Sequence, residues 1–208
     1  MKDKNLELAI EQSAAISLSL QEMLGEHGNL DRREYLAMAY LNLALDHREA
    51  LLLLVKVGAF ASATALQRSL LEATVSGIWI DLCASDNQVD QVLKIERPPP
   101  PFERMAEKLR TSHHLGEWFE VFKSHYKILN DYTHGHSRQI SRWLSSGCAG
   151  PSYDAGQMIE TLHHSDLVGL LAAVQREKIF GRPIGPLSDL LKTVLERSRI
   201  AKATPAAP

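Results

Sequence analysis

Between positions 57 and 85 the chain carries only three charged residues, Arg68, Glu72 and Asp81. A helix that is apolar nearly all round is a buried one, so the stretch 59–84 is expected to form the central helix of whatever fold surrounds it. Its Ala and Ser content, with Gly77 inside, lets neighbouring backbones approach closely. That requirement selects partners that are themselves helices.

The flanking sequence supplies them. Leu6, Ile10, Ala14, Ser17, Leu20 and Leu24 recur at helical spacing, and Gly25 and Gly28 end that run. Asp31 with Glu34 three residues on forms a capping box ahead of a second stripe through Leu36, Ala39, Leu43, His47, Leu51 and Leu54, ended by Gly58. Downstream, helices are expected over 87–95, 102–109, 117–134, 137–144, 154–180 and 187–200. The run Pro98, Pro99, Pro100 and Pro101 cannot continue a helix and reads as a rigid extended connector. Trp118, Phe122, His125, Leu129 and Tyr132 share one face of 117–134, and Gly135 stops it. A glycine-rich loop at 147–151 and a Gly-Arg-Pro-Ile-Gly-Pro turn at 181–186 separate the last elements. No alternating strand pattern appears. The expected fold is all-α: one domain over 1–200, a bundle of about six to eight helices, and a disordered tail over 201–208.

Composition narrows the function classes. With 23 Lys and Arg against 25 Asp and Glu, the net charge of −2 provides no global field for nucleic acid or an anionic membrane, so such binding would need a local patch. Cys83 and Cys148 are far apart and belong to no CxxC pair, which suits a reducing compartment. The opening Met-Lys-Asp-Lys-Asn runs straight into an amphipathic pattern, and no stretch is apolar enough to span a bilayer; a cytoplasmic location with no membrane partner is expected. Phosphate loops, the Gly-x-Ser-x-Gly elbow and His-Glu-x-x-His are absent. Glu160-x-x-His163 matches half of a di-iron bundle motif, but the second half is missing, so neither a metal site nor a cofactor is expected.

Chemistry is concentrated in two places. Arg68 and Glu72 lie one turn apart on the central helix, on a stripe with Ala61, Ala65, Val75 and Trp79, and are expected to point inward together. Desolvating such a pair costs several kcal/mol per ion unless it is well hydrogen-bonded. Arg preceding Glu is also the weaker order within a helix, so a partner from another helix is expected. The candidate partner is the end of 117–134. There Asn130 and His134 share a face with Lys123 and Lys127, near Asp131, Tyr132, His136 and Arg138. This polar network either fixes helix register or forms a site: Arg68, Glu72, Asn130, Tyr132 and His134 would do chemistry, and Lys127, Asp131, His136 and Arg138 would hold a ligand.

The fragments Leu66-Gln-Arg-Ser-Leu-Leu-Glu72 and Leu129-Asn-Asp-Tyr-Thr-His-Gly135 resemble two signature stretches of bacterial all-helical proteins with no assigned reaction, over roughly residues 35–145. More distantly, the chain resembles HEPN domains, the helical bundles of prokaryotic toxins and phage-defence proteins. Many of these are metal-independent ribonucleases that use an Arg, four to six intervening residues and then a His, paired across a dimer. At that spacing before His134 this chain has Leu129, Ile128 and Lys127 instead of Arg. The resemblance therefore implies a HEPN-like homodimer that binds RNA, a nucleotide or a protein partner. A ribonuclease or nucleotide-modifying enzyme centred on His134, with Arg68 as the guanidinium, is the second reading, and an interaction scaffold the third.

Overall fold

The computed structural model describes residues 3–25, 28–113, 126–130, 132, 140–145, 148–149 and 152–203. Local sequence signals set most helix starts. Helix α1, Lys4–Met23, is capped by Asp3, whose carboxylate accepts from the Asn5 and Leu6 amides at 2.8 and 3.1 Å. Helix α2, Arg32–Lys56, opens with the Asp31/Glu34 capping box. After it Gly58 turns the chain at φ 79°, a conformation open to glycine without a Cβ penalty, and α3 follows over Phe60–Leu82. A Ser85/Gln88 capping box starts α4, Asp86–Leu93. Pro98 to Pro101 then lie outside any helix and lead into α5, Phe102–His113. Residues 126–130 are helical. Asp154 and Gln157 cap α6, Ala155–Ile179, and the final helix α7 is Gly185–Ala203.

The fold is an all-α bundle, as the periodicity predicts. One small departure lies at the end of the expected 137–144 helix. Ile140 and Ser141 are helical, but Leu144–Ser145 pairs antiparallel with Cys148–Ala149 inside the expected 147–151 loop. Two-residue ladders are too short to leave an alternating pattern.

Helix α3 is the central element, packed along α2 and against α5 and α6. Ala63, Leu70, Leu71, Val75 and Ile80 are fully buried on it. Gly77 permits the close α2–α3 approach, because a Cβ there would sit 2.7 Å from Leu41 Cγ and 3.1 Å from the Ala37 carbonyl oxygen. The main core joins Leu70, Leu71, Val75 and Ile80 to Leu109, Tyr126, Leu129 and Val168, and another cluster sets Ile16 and Leu20 against Leu170, Leu187 and Val194. Each fully buried leucine contributes about 1.5–3 kcal/mol.

The buried stripes on α1 and α2 keep Ser17, Leu20, Leu36 and Leu51 of the expected positions and are otherwise rotated from them. On α2 they run through Leu41, Ala44, Arg48, Leu51, Leu52 and Val55, whereas Leu43 is 44% exposed. On α1 they run through Ala9, Ser13, Ile16, Ser17 and Leu20. The cause is a polar seam joining α1, α2 and α6. The fully buried Arg48 donates to Asp166 Oδ1 from Nε at 3.1 Å and Nη2 at 2.7 Å, to the Ser13 carbonyl at 2.6 Å, to Ser17 Oγ at 2.6 Å, and to Glu49. Ser13 Oγ also donates to Asp166 at 2.7 Å. Opposite, Gly169 leaves room for the arginine stem, since a Cβ there would lie 3.0 Å from Arg48 Cγ and Cδ.

Candidate functional site

Arg68 and Glu72 do not point into the core. Their side chains are 17% and 39% exposed, on a partly open strip of α3. Val75 and Trp79, expected on the same stripe, are buried instead. Spacings of four and three alternate along this stripe, so Arg68 and Trp79 point within about 20° of each other, and what differs between them is how much the neighbouring elements cover.

The expected cross-helix partner exists, but it is Tyr126. Arg68 Nε donates to Glu72 Oε1 at 2.9 Å, Arg68 Nη2 donates to the Tyr126 phenol oxygen at 3.0 Å, and that hydroxyl donates to the same Glu72 Oε1 at 2.7 Å. The three groups close a ring of hydrogen bonds. The Arg68 guanidinium carbon lies 5.1 Å from the Tyr126 ring centroid. The ring also stacks on Phe102, with centroids 4.0 Å apart and planes inclined by 9°. Phe102 is the first residue of α5, directly after the four prolines, so the proline run ends on the aromatic floor of the site.

This constellation faces a cavity of about 550 Å³ between α2, α3 and the connector to α5. Helix α3 supplies Arg68, Ser69, Glu72 and Ser76; α2 supplies Tyr40, Leu43 and His47. The opposite wall is Pro99, Pro100, Pro101 and Phe102.

Electrostatics fix the protonation states. Burial first, then the hydrogen bond and charge of Glu72, push the Tyr126 phenol up to about 12, with Arg68 pulling the other way. Burial works against the Arg68 cation, but Glu72 and Tyr126 outweigh it and the net direction is up. Burial pushes His47 below its ordinary value against a smaller opposing effect of Asp46, and pushes the Tyr40 phenol up.

Of the sequence-predicted residues, Arg68 and Glu72 are brought together. Asn130 follows Tyr126 by four residues in the helical stretch 126–130; it is half-buried, and its Oδ1 is buried with no hydrogen-bond partner among the described residues. Lys127 is exposed. Tyr132 is half-buried near Tyr153, whose phenol is raised by burial and secondarily by Tyr132. Asp131, His134, His136, Arg138 and Lys123 lie outside the described residues. Sequence reasoning missed Tyr126, although it begins the 126, 130, 134 series at helical spacing, and it missed Tyr40, Ser69 and Ser76 as lining residues. Among the described residues no group of three His, Cys, Asp or Glu side chains is placed to hold a metal ion, and no helix is long and apolar enough to cross a membrane.

Residues 41–184 match the model of a family of unknown function, DUF6988. No curated protein and no solved structure matches the chain.

Proposed function

The chain belongs to the DUF6988 family, whose matched segment holds Arg68, Glu72, Phe102 and Tyr126, and from that premise we propose that it acts by binding, taking the base of a nucleotide or of single-stranded RNA into the cavity above Arg68. The observation that carries this reading is the closed Arg68–Glu72–Tyr126 ring on the wall of a 550 Å³ cavity, a volume within the range of about 300–1,000 Å³ typical of ligand pockets. Tyr40, Leu43 and the prolines beside a few fixed polar groups suit a flat heterocycle, which gains from apolar contact with its faces and is oriented by hydrogen bonds.

Binding suits these residues better than proton transfer. A general acid or base works best with a pKa near the working pH. Tyr126, at about 12, keeps its proton at neutrality, and Arg68 keeps its charge. Both are therefore fixed donors. The HEPN-like setting belongs to the same proposal: a cytoplasmic bacterial homodimer acting in stress, toxin or phage defence, supported by the sequence resemblance alone.

The test is calorimetric titration of the full chain with nucleosides, nucleotides and short single-stranded RNAs, with chromatography of each mixture for products. Saturable binding, weakened at least about tenfold by Arg68→Ala at unchanged melting temperature, is the expected result. Product formation abolished by His134→Ala would replace this reading with the ribonuclease or nucleotide-modifying one. No interaction with any member of the panel would leave the scaffold.

A further inference from the structure

Resting on the base-binding reading and narrowing it, we propose that the cavity takes an uncharged ring with an amide-type edge, an N–H donor beside a carbonyl, and leaves any phosphate outside.

The argument begins with charge. The described lining holds one cation and one anion, Arg68 and Glu72, and they neutralise each other at 2.9 Å. A phosphate entering the cavity would gain attraction from Arg68 only while meeting the Glu72 carboxylate beside it. An ammonium group would meet the converse problem. Neither sign of ligand charge has an uncompensated partner in the described wall, so desolvating a charged group there would go unrewarded.

Hydrogen-bonding capacity then specifies the edge. Glu72 Oε1 already accepts from Arg68 and Tyr126, whereas Oε2 accepts from no described residue, and the side chain is 39% exposed. An ionised carboxylate only accepts, so the atom opposite must be a donor. Ser69, Glu72 and Ser76 follow one another at spacings of three and four, which places both hydroxyls on the same face of α3 as the carboxylate. Hydroxyls can donate to a carbonyl next to that N–H. Leu43, Pro99 and Pro100 provide apolar walls for the ring faces.

Uridine, uridine monophosphate and N3-methyluridine, titrated into the full chain at one fixed salt concentration, test this. Uridine and its monophosphate should bind within about threefold of each other, and methylating N3 should cost at least about tenfold, because Glu72 then faces no donor. In Glu72→Gln, Arg68 loses the counter-charge beside it in the described wall, and the monophosphate should gain on uridine by about tenfold or more. Monophosphate binding more than about tenfold tighter than uridine to the unaltered chain, or N3-methyluridine binding as well as uridine, overturns the inference while leaving base binding in place. If none of the three binds, both fall. The comparison within the unaltered chain decides even where Glu72→Gln does not fold.

Discussion

Replacing Asp166 with Ala removes the carboxylate that accepts two hydrogen bonds from Arg48 and one from Ser13 at the centre of the α1–α2–α6 seam. Arg48 is 0% exposed and Asp166 4% exposed at the side chain, so neither water nor rearrangement at the surface can replace what is lost. Removing one partner of a buried pair costs about 3–5 kcal/mol, because the other charge stays buried. Glu49, 43% exposed, still contacts Arg48, so the cost should fall toward the low end, about 3 kcal/mol. For a chain of this size, at roughly 2–4 °C per kcal/mol, the melting temperature should fall by about 6–12 °C. Urea denaturation monitored by circular dichroism measures the free energy directly, with the slope checked for an unchanged denatured state. The double variant Arg48→Met with Asp166→Leu should recover most of the loss, since well-packed apolar replacements for buried ion pairs are often neutral or better. A loss below about 1 kcal/mol for Asp166→Ala, or a double variant no more stable than the single one, would refute the claim that this seam is held by a paired buried charge.

Three further outcomes follow from local geometry. Gly77→Ala gains helix propensity but drives a methyl against Leu41 and the Ala37 carbonyl in a filled core, so a net loss of about 1–3 kcal/mol is expected in the same urea assay. Ile95 ends α4 at φ 59° with its side chain 92% exposed, a left-handed conformation that costs a β-branched residue energy, so Ile95→Gly should stabilise by roughly 0.5–1 kcal/mol despite the added freedom of the unfolded chain. Burial raises the Asp81 carboxyl above its ordinary value, against the hydrogen bond from Gln175 at 2.5 Å and the charge of Arg33. A raised folded-state pKa gives stability that is full below the unfolded value and is lost as pH rises through the folded one. Stability of the unaltered chain relative to Asp81→Asn should therefore decline from pH 3 toward neutrality, and a difference that stays flat or grows with pH contradicts the assignment.

Signals that act within a few residues were legible in the sequence. The Asp31/Glu34 box appears where the spacing places it, and the near absence of charge between positions 57 and 85 identified the central helix. Signals that depend on a distant partner were not. Arg48 occupies a core position between Ala44 and Leu51, but its place there rests on Asp166, 118 residues away, and hydrophobicity counts an arginine as surface. The stripe read instead through Leu43 is turned away from the core by about a third of a turn or less, an error small in angle but enough to exchange an exposed leucine for a buried arginine. The site shows the same division. Arg68 and Glu72 were found by their rarity in an apolar stretch, and the order of the two charges correctly called for a partner from elsewhere in the bundle. Which side chain answers depends on helix rotation, and Tyr126, one turn before Asn130, is the group that reaches them.

The most direct test of the central claim is a two-dimensional NMR titration of the chain carrying labelled aromatic side chains, with uridine added stepwise. The account predicts saturable shifts of the Tyr126, Phe102 and Tyr40 ring signals, with the ring signals of the remote Tyr153 and Phe180 unmoved. Shifts confined to the remote rings, or a Tyr126 ring that does not respond while uridine binds, would place the ligand elsewhere and contradict the assignment of the cavity as the binding site.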